Sequence, residues 1–313
     1  MLTRAMASDI KGVWATILNR IGPDGASDHG AIAEQVAAYA KAGVDGVYSG
    51  GTASEFHCQS DTEFQKIAVL FAQAARDNGL SFQIGAAHPL ALGGLDRIAF
   101  AAGLKPMAIQ ITLPDWTPLD YKSVEAFMDG AVDAAADVPL VLYNPPHAKT
   151  VLSPEQLDKL SQQFPALIGL KCGGGDAAWY AAVAPVLKRL SVFIPGHFYA
   201  SGVAHGAHGS YSNMVCLQPS AAVAWAQADT STARELESRI ALFMKEAIAP
   251  LIERGVPGFV CDKAMASAGG WANMNPRMMW PYEGATAAEI TQIVVSAKNH
   301  IPEFAINMTT DND

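Results

Sequence analysis

The chain lacks the features that mark several protein classes. Its four cysteines, Cys58, Cys172, Cys216 and Cys261, form no CxxC pair, so neither a disulfide framework nor a thiolate metal knuckle is encoded. That usage suits a reducing compartment. No apolar run reaches the ~18 residues of a membrane span, and the N-terminal "MLTRAMASDIKGVW" has no secretory core, so a cytoplasmic chain without membrane contact is expected. Basic residues are few, 21 Lys and Arg against 30 Asp and Glu, for a net charge of -9 with no long basic run. Nucleic acid phosphates and anionic lipids would therefore find no electrostatic footing. Low-complexity linkers and long repeats are missing too. What remains is 313 residues, half of them hydrophobic, enough for one large core or a large domain with an appendage. Small molecules or further copies of the chain are the expected partners.

Short β-rich runs recur, each followed by a stretch with helical spacing. They are "GVWATIL" (12–18), "DGVYSG" (45–50), "SFQIGAA" (81–87), "MAIQITL" (107–113), "PLVLYN" (139–144), "LIGLKC" (167–172), "SVFIPG" (191–196) and "GSYSNM" (209–214). Helix starts are marked by capping boxes at Ser60 ("SDTE") and Ser153 ("SPEQ"), the second with proline at the first helical position. Eight such units predict a closed (β/α)8 barrel over residues 1–230. A doubly wound open sheet is the alternative, but "ATILNRIGPDG" supplies no glycine-rich dinucleotide turn after the first strand. From residue 231 the pattern is helical, with a third capping box at Thr286 and Glu289, which predicts a C-terminal helical extension over 231–313. The polar end "TTDND" is expected to fray.

One residue is out of place in this pattern. Lys171 sits inside the apolar run "LIGLKC", where a charge must be paired, reach solvent or be neutral for a purpose. Strand alternation puts Leu170 and Cys172 outward under the helices and turns Gly169 and Lys171 inward. The same parity turns Val141 and Tyr143 inward on the preceding strand. Tyr143 and Lys171, one βα unit apart, fall at matching C-terminal strand ends about 5 Å apart, where barrel active sites form. Burial favours the neutral amine, which attacks a ketone to give a Schiff base, and a phenol in reach can shuttle its protons. A structural ion pair at Lys171 is the competing reading.

After the second strand, "SGGTASE" (Ser49 to Glu55) offers small residues whose N–H groups can converge on an anion, with the Thr52 hydroxyl beside them. It reads as a carboxylate cradle or simply as a tight turn. His57, Cys58, His197, His205 and His208 invite a metal reading, yet no HxH or HExxH spacing unites them.

In this order the motifs "GTASE" (Gly51 to Glu55), "YNPP" (Tyr143 to Pro146), "IGLK" ending at Lys171 and "GAHGSYS" (Gly206 to Ser212) resemble the dihydrodipicolinate synthase / N-acetylneuraminate lyase family of class I aldolases. The resemblance implies a barrel with C-terminal helices, usually a dimer of dimers, acting on pyruvate or another 2-oxo acid together with an aldehyde, without cofactor or metal. By position it implies Lys171 as the imine-forming lysine, Tyr143 as proton shuttle, and Thr52 with Ala53 as carboxylate binders. Tyr211 matches a residue whose carbonyl faces the site, and Trp116 lies near a tyrosine lent across the dimer.

The departures bear on substrate. Ala53 and Ser54 replace a hydroxyl residue and a glycine of the family's G-[ST]-T-G-E, and Ala148 stands where the synthases carry an arginine for a second carboxylate. The loop "PGHFYASG" is shorter than its counterpart in the sialic-acid lyases and lacks their acidic residues. Trp116, Ala148, His197, Phe198 and Tyr199 are therefore expected at an apolar far end, which favours uncharged, less hydroxylated aldehydes. Reversible aldol cleavage, dehydration of a 2-oxo-3-deoxy acid through the same imine, dihydrodipicolinate synthesis and a non-catalytic 2-oxo acid sensor are the functions this sequence admits.

Overall fold

The β-rich runs all become strands: β1 (Gly12–Thr16), β2 (Gly46–Ser49), β3 (Phe82–Gly85), β4 (Ala108–Thr112), β5 (Leu140–Asn144), β6 (Leu167–Cys172), β7 (Ser191–Pro195) and β8 (Gly209–Tyr211). Neighbours pair in parallel in chain order, and β8 closes on β1. The fold is a TIM barrel. The computed structural model describes residues 5 to 306 and residue 308, so the expected fraying of 309–313 lies outside the described residues.

Between the strands run α1 (Gly30–Ala42), α2 (Asp61–Asp77), α3 (Ala91–Gly103), α4 (Tyr121–Ala135) and α5 (Pro154–Gln163), then the shorter α6 (Ala177–Ala182), α7 (Ala184–Leu187) and α8 (Tyr199–Ala204). Helices alone follow β8: α9 (Met214–Leu217), α10 (Pro219–Gln227), α11 (Thr230–Phe243), α12 (Ala249–Glu253), α13 (Gly258–Gly269) and α14 (Ala287–His300). The boxes at Ser153 with Gln156 and at Thr286 with Glu289 form in full. At Ser60 only half the box forms: its hydroxyl accepts from the Glu63 N–H, while the Glu63 carboxylate reaches His29 at 2.9 Å instead. Among the described residues no helix is long and apolar enough to cross a membrane.

Strand parity sorts the side chains as expected. Leu140, Leu142, Leu170 and Cys172 join the layer between barrel and helices, whereas Trp14, Tyr48, Val141, Phe193 and Tyr211 fill the barrel interior. That interior is aromatic, with Trp14, Phe193 and Tyr211 in mutual ring contact. The C-terminal helices share the outer apolar layer, and α13 is the innermost of them, packing on α9, α14 and the Thr52–Ser54 turn. It is apolar nearly all round, as a helix buried on every side must be. Asp262 and Lys263 are its only charged residues.

Candidate active site

β5 and β6 deliver the central pair. Tyr143 lies opposite Lys171 in the strand register, so the two side chains leave neighbouring strands at the same height. The Lys171 ammonium nitrogen stands over three phenol rings, 4.1 Å from the Tyr143 centroid, 5.0 Å from Tyr48 and 5.1 Å from Tyr211. Ring faces favour a cation, but burial opposes it more strongly and lowers the Lys171 pKa to about 8, against a smaller upward pull from Asp262 and Cys216. At pH 7 such an amine is roughly 300-fold richer in its neutral, nucleophilic form than a lysine in water. The Tyr143 phenol is pushed the other way, up to about 12 by burial, with the neighbouring Thr52 hydroxyl drawing it back. It therefore holds its proton at neutral pH and can donate it.

Thr52 opens a 3-10 turn, Thr52–Ser54, immediately after β2. The N–H groups of Ser54 and Glu55 close that turn onto the carbonyls of Gly51 and Thr52. Those of Thr52 and Ala53 find no carbonyl of the chain among the described residues, as befits the first residues of a helical turn. Gly50 makes the approach possible: at φ +65° it lies so close to β3 that a Cβ would sit 2.0 Å from the Gly85 carbonyl oxygen. Ser54 does not strain the turn. Its hydroxyl points away from the cavity and donates to the Ile17 carbonyl at 2.7 Å, and the left-handed residue is Glu55 at φ +56°.

Glu55 also fixes what lies above. Its carboxylate is in direct contact with the Lys263 ammonium, both side chains fully buried, and accepts from the Met279 N–H at 2.6 Å. Lys263 donates in addition to the Arg277 carbonyl at 2.9 Å. Bonded on both sides to the backbone as well, this ion pair rivets the cradle to α13.

Between barrel mouth and C-terminal helices lies a cavity of about 930 Å3. Lys171, Tyr143, Thr52, Ala53, Tyr211 and His197 all line it, so six of the residues singled out from sequence converge there. The far wall is apolar: Phe56, Phe198, Phe259 and Tyr282, with Met244 and Ile248 projecting from a π-helical stretch, Met244–Ile248, that links α11 to α12. Of the histidines considered for a metal, His57 and His197 line the cavity, whereas His205 and His208 do not. His197 bonds to Asn213 and His57 sits edge-on to Phe259 and Tyr282, burial lowering the pKa of each, while His205 stacks on Tyr180. His208 accepts from the Val192 N–H.

The sequence pattern of the Dihydrodipicolinate synthetase family matches residues 9–271. The chain belongs to that family. An N-acetylneuraminate lyase from Escherichia coli (strain SMS-3-5 / SECEC) is 26% identical over 259 residues, covering 80% of this chain and 84% of the relative. YagE, a prophage protein of the dihydrodipicolinic acid synthase family from Escherichia coli K12, solved in complex with pyruvate, superposes with a TM-score of 0.82 over 93% of this chain and 98% of its own, at 17% identity. A catalytic lysine mutant of the sialic acid aldolase from Ruminococcus gnavus superposes with a TM-score of 0.80 over 94% and 99%, at 16% identity.

Other residues expected from the dihydrodipicolinate synthetase family pattern fall elsewhere. Trp116 stands 77% exposed and does not line the cavity of a single chain. Ala148 lines a smaller side pocket shared with Thr52, Tyr143 and His147, and Tyr199 packs against Trp225 instead of facing the cavity. Many lining residues were not singled out from sequence, among them three that surround Lys171. Tyr48 was readable by the same alternation that turned Lys171 inward. Cys216 and Asp262 sit on helices whose inward faces no local period identifies.

Proposed function

We propose that this protein is a class I lyase that binds pyruvate or another short 2-oxo acid as a Schiff base on Lys171 and makes or breaks the adjacent carbon–carbon bond with an uncharged aldehyde. The observation that carries the reading is a lysine held largely desolvated among three phenols, in register with Tyr143 and beside an unfilled pair of N–H groups. The Thr52 and Ala53 N–H groups with the Thr52 hydroxyl take the substrate carboxylate, which leaves the ketone carbon facing Lys171. The neutral amine adds to that carbon, Tyr143 supplies the proton on which water leaves, and an iminium forms. The Tyr143 phenolate left by that transfer takes back a proton from C3, which yields an enamine that attacks the aldehyde, and cleavage is the reverse.

The far wall supports the choice of aldehyde. Among the described residues Lys171 is the only lysine or arginine lining the cavity, so a second carboxylate would meet no further lysine or arginine there, and a row of hydroxyls at the far wall would face mainly Phe, Tyr, Met and Ile. The same proposal includes a cytoplasmic homo-oligomer in which a second chain covers Trp116. The test compares kcat/KM for pyruvate condensation with a small aliphatic or aromatic aldehyde, with aspartate semialdehyde and with N-acetylmannosamine. The uncharged aldehyde should be fastest; faster condensation with either polar partner overturns the assignment of the far wall.

A further inference from the structure

The lid of the cavity carries a second group placed for proton transfer. Asp262 and Lys263 are neighbours on α13, and their side chains part company. Lys263 is drawn into contact with Glu55, which fixes how the helix is rotated. Asp262 is thereby presented to the cavity that holds Lys171, Tyr143 and Thr52. Among the described residues nothing hydrogen-bonds its carboxyl; burial and the charge of Lys171 are the influences on it. A carboxyl group left without a protein partner on the wall of a substrate-sized cavity is available to the substrate.

We infer that Asp262 is a further catalytic acid–base group of this site, taking the proton from, and returning it to, the hydroxyl oxygen at the carbon where the carbon–carbon bond breaks or forms. Tyr143 serves the imine end. The inference rests on the Schiff-base reading above. In the cleavage direction a 4-hydroxy-2-oxo acid is held as an iminium on Lys171. The Asp262 carboxylate accepts the C4 hydroxyl proton, the freed oxygen pair forms the new C=O, and the C3–C4 bond breaks. Its electron pair becomes the C2=C3 double bond as the iminium turns into a neutral enamine. Condensation runs the same transfers backwards, with the Asp262 carboxylic acid protonating the aldehyde oxygen.

The division of labour follows from the surroundings. Lys171, Tyr39, Tyr48, Tyr143, Cys216 and Cys261 share the electrostatic environment of Asp262. Burial raises those phenols and thiols, so at neutral pH they are uncharged and Lys171 is the one cation among them. Lys263 is engaged by Glu55. Burial lifts Asp262 to about 7 while Lys171 holds it down, which leaves it able both to accept and to donate at neutral pH, as the Tyr143 phenol at about 12 is not. The iminium keeps the positive charge, so the pairing survives substrate binding.

The test separates the two halves of the reaction in the full-length protein. Exchange of the pyruvate C3 protons in D2O, followed by NMR, reports imine and enamine without any aldehyde. Condensation with the uncharged aldehyde that the wild type uses fastest reports the carbon–carbon step. Asp262→Asn should keep C3 exchange at the wild-type rate or faster near pH 7, because removing the carboxylate frees the Lys171 amine. It should lose condensation by about 10²-fold or more, and the rise of cleavage kcat towards pH 7 should vanish. Asp262→Ser repeats the measurement if the Asn variant does not fold. Condensation within about threefold of wild type, or exchange and condensation falling together, overturns the inference. A wild type that neither exchanges C3 protons nor is trapped by borohydride refutes the Schiff-base reading itself, whereas a competent wild type beside a fully active Asp262→Asn variant refutes only the role of Asp262.

Discussion

Two lysine–carboxylate pairs share α13, and they differ in kind. Lys263 and Glu55 touch, are wholly buried, and have further bonds to the Arg277 carbonyl and the Met279 N–H. Lys171 and Asp262 feel each other's charge across the cavity without a mutual bond, and each is moved towards neutrality, the lysine down to about 8 and the aspartate up to about 7. A buried pair bonded to each other and to the backbone holds structure together, and breaking it leaves a stranded charge. A pair held apart on a cavity wall keeps its protons exchangeable, which is what acid–base and nucleophilic chemistry need.

The contrast can be broken from either side. Glu55→Gln strands the Lys263 ammonium and should destabilise the fold by about 3–5 kcal/mol in urea denaturation, with the cradle lost along with the rivet. Tyr143→Phe leaves both pairs intact and should keep stability and most of the pyruvate affinity, while turnover drops about 10²-fold; a loss under about threefold would reduce the residue to packing. A third effect is on stability against pH. Because the folded Lys171 has a depressed pKa, between about 8 and 10.5 the unfolded chain binds more protons at this residue than the folded one. Wild-type stability should therefore rise relative to Lys171→Ala as pH increases through that window, and parallel curves for the two proteins would contradict a desolvated Lys171.

The strand half of the site was legible because β-alternation is a rule of period two. Once "PLVLYN" and "LIGLKC" were read as neighbouring strands, parity and register put Tyr143 beside Lys171, and Gly169 and Val141 below them. The barrel followed from eight repeats of the same grammar. The lid was not legible. Contact between Lys263 and Glu55 spans 208 residues, and a helix buried on all sides shows no polar face from which to read its orientation. Asp262 therefore looked like any acid in a helix until the partner of its neighbour fixed the rotation. Local chemistry was misread for a related reason at Ser60, where Glu63 abandoned its capping box for His29, a residue from another unit.

The central claim is that Lys171 forms a covalent imine with a 2-oxo acid. Borohydride reduction of the wild type with pyruvate, followed by proteolysis and mass analysis, tests it most directly. The account predicts reduced pyruvate on the peptide containing Lys171 and on no other, with no label in a folded Lys171→Ala protein. Label on a different lysine, or none at all under conditions where the protein turns over pyruvate, would contradict it.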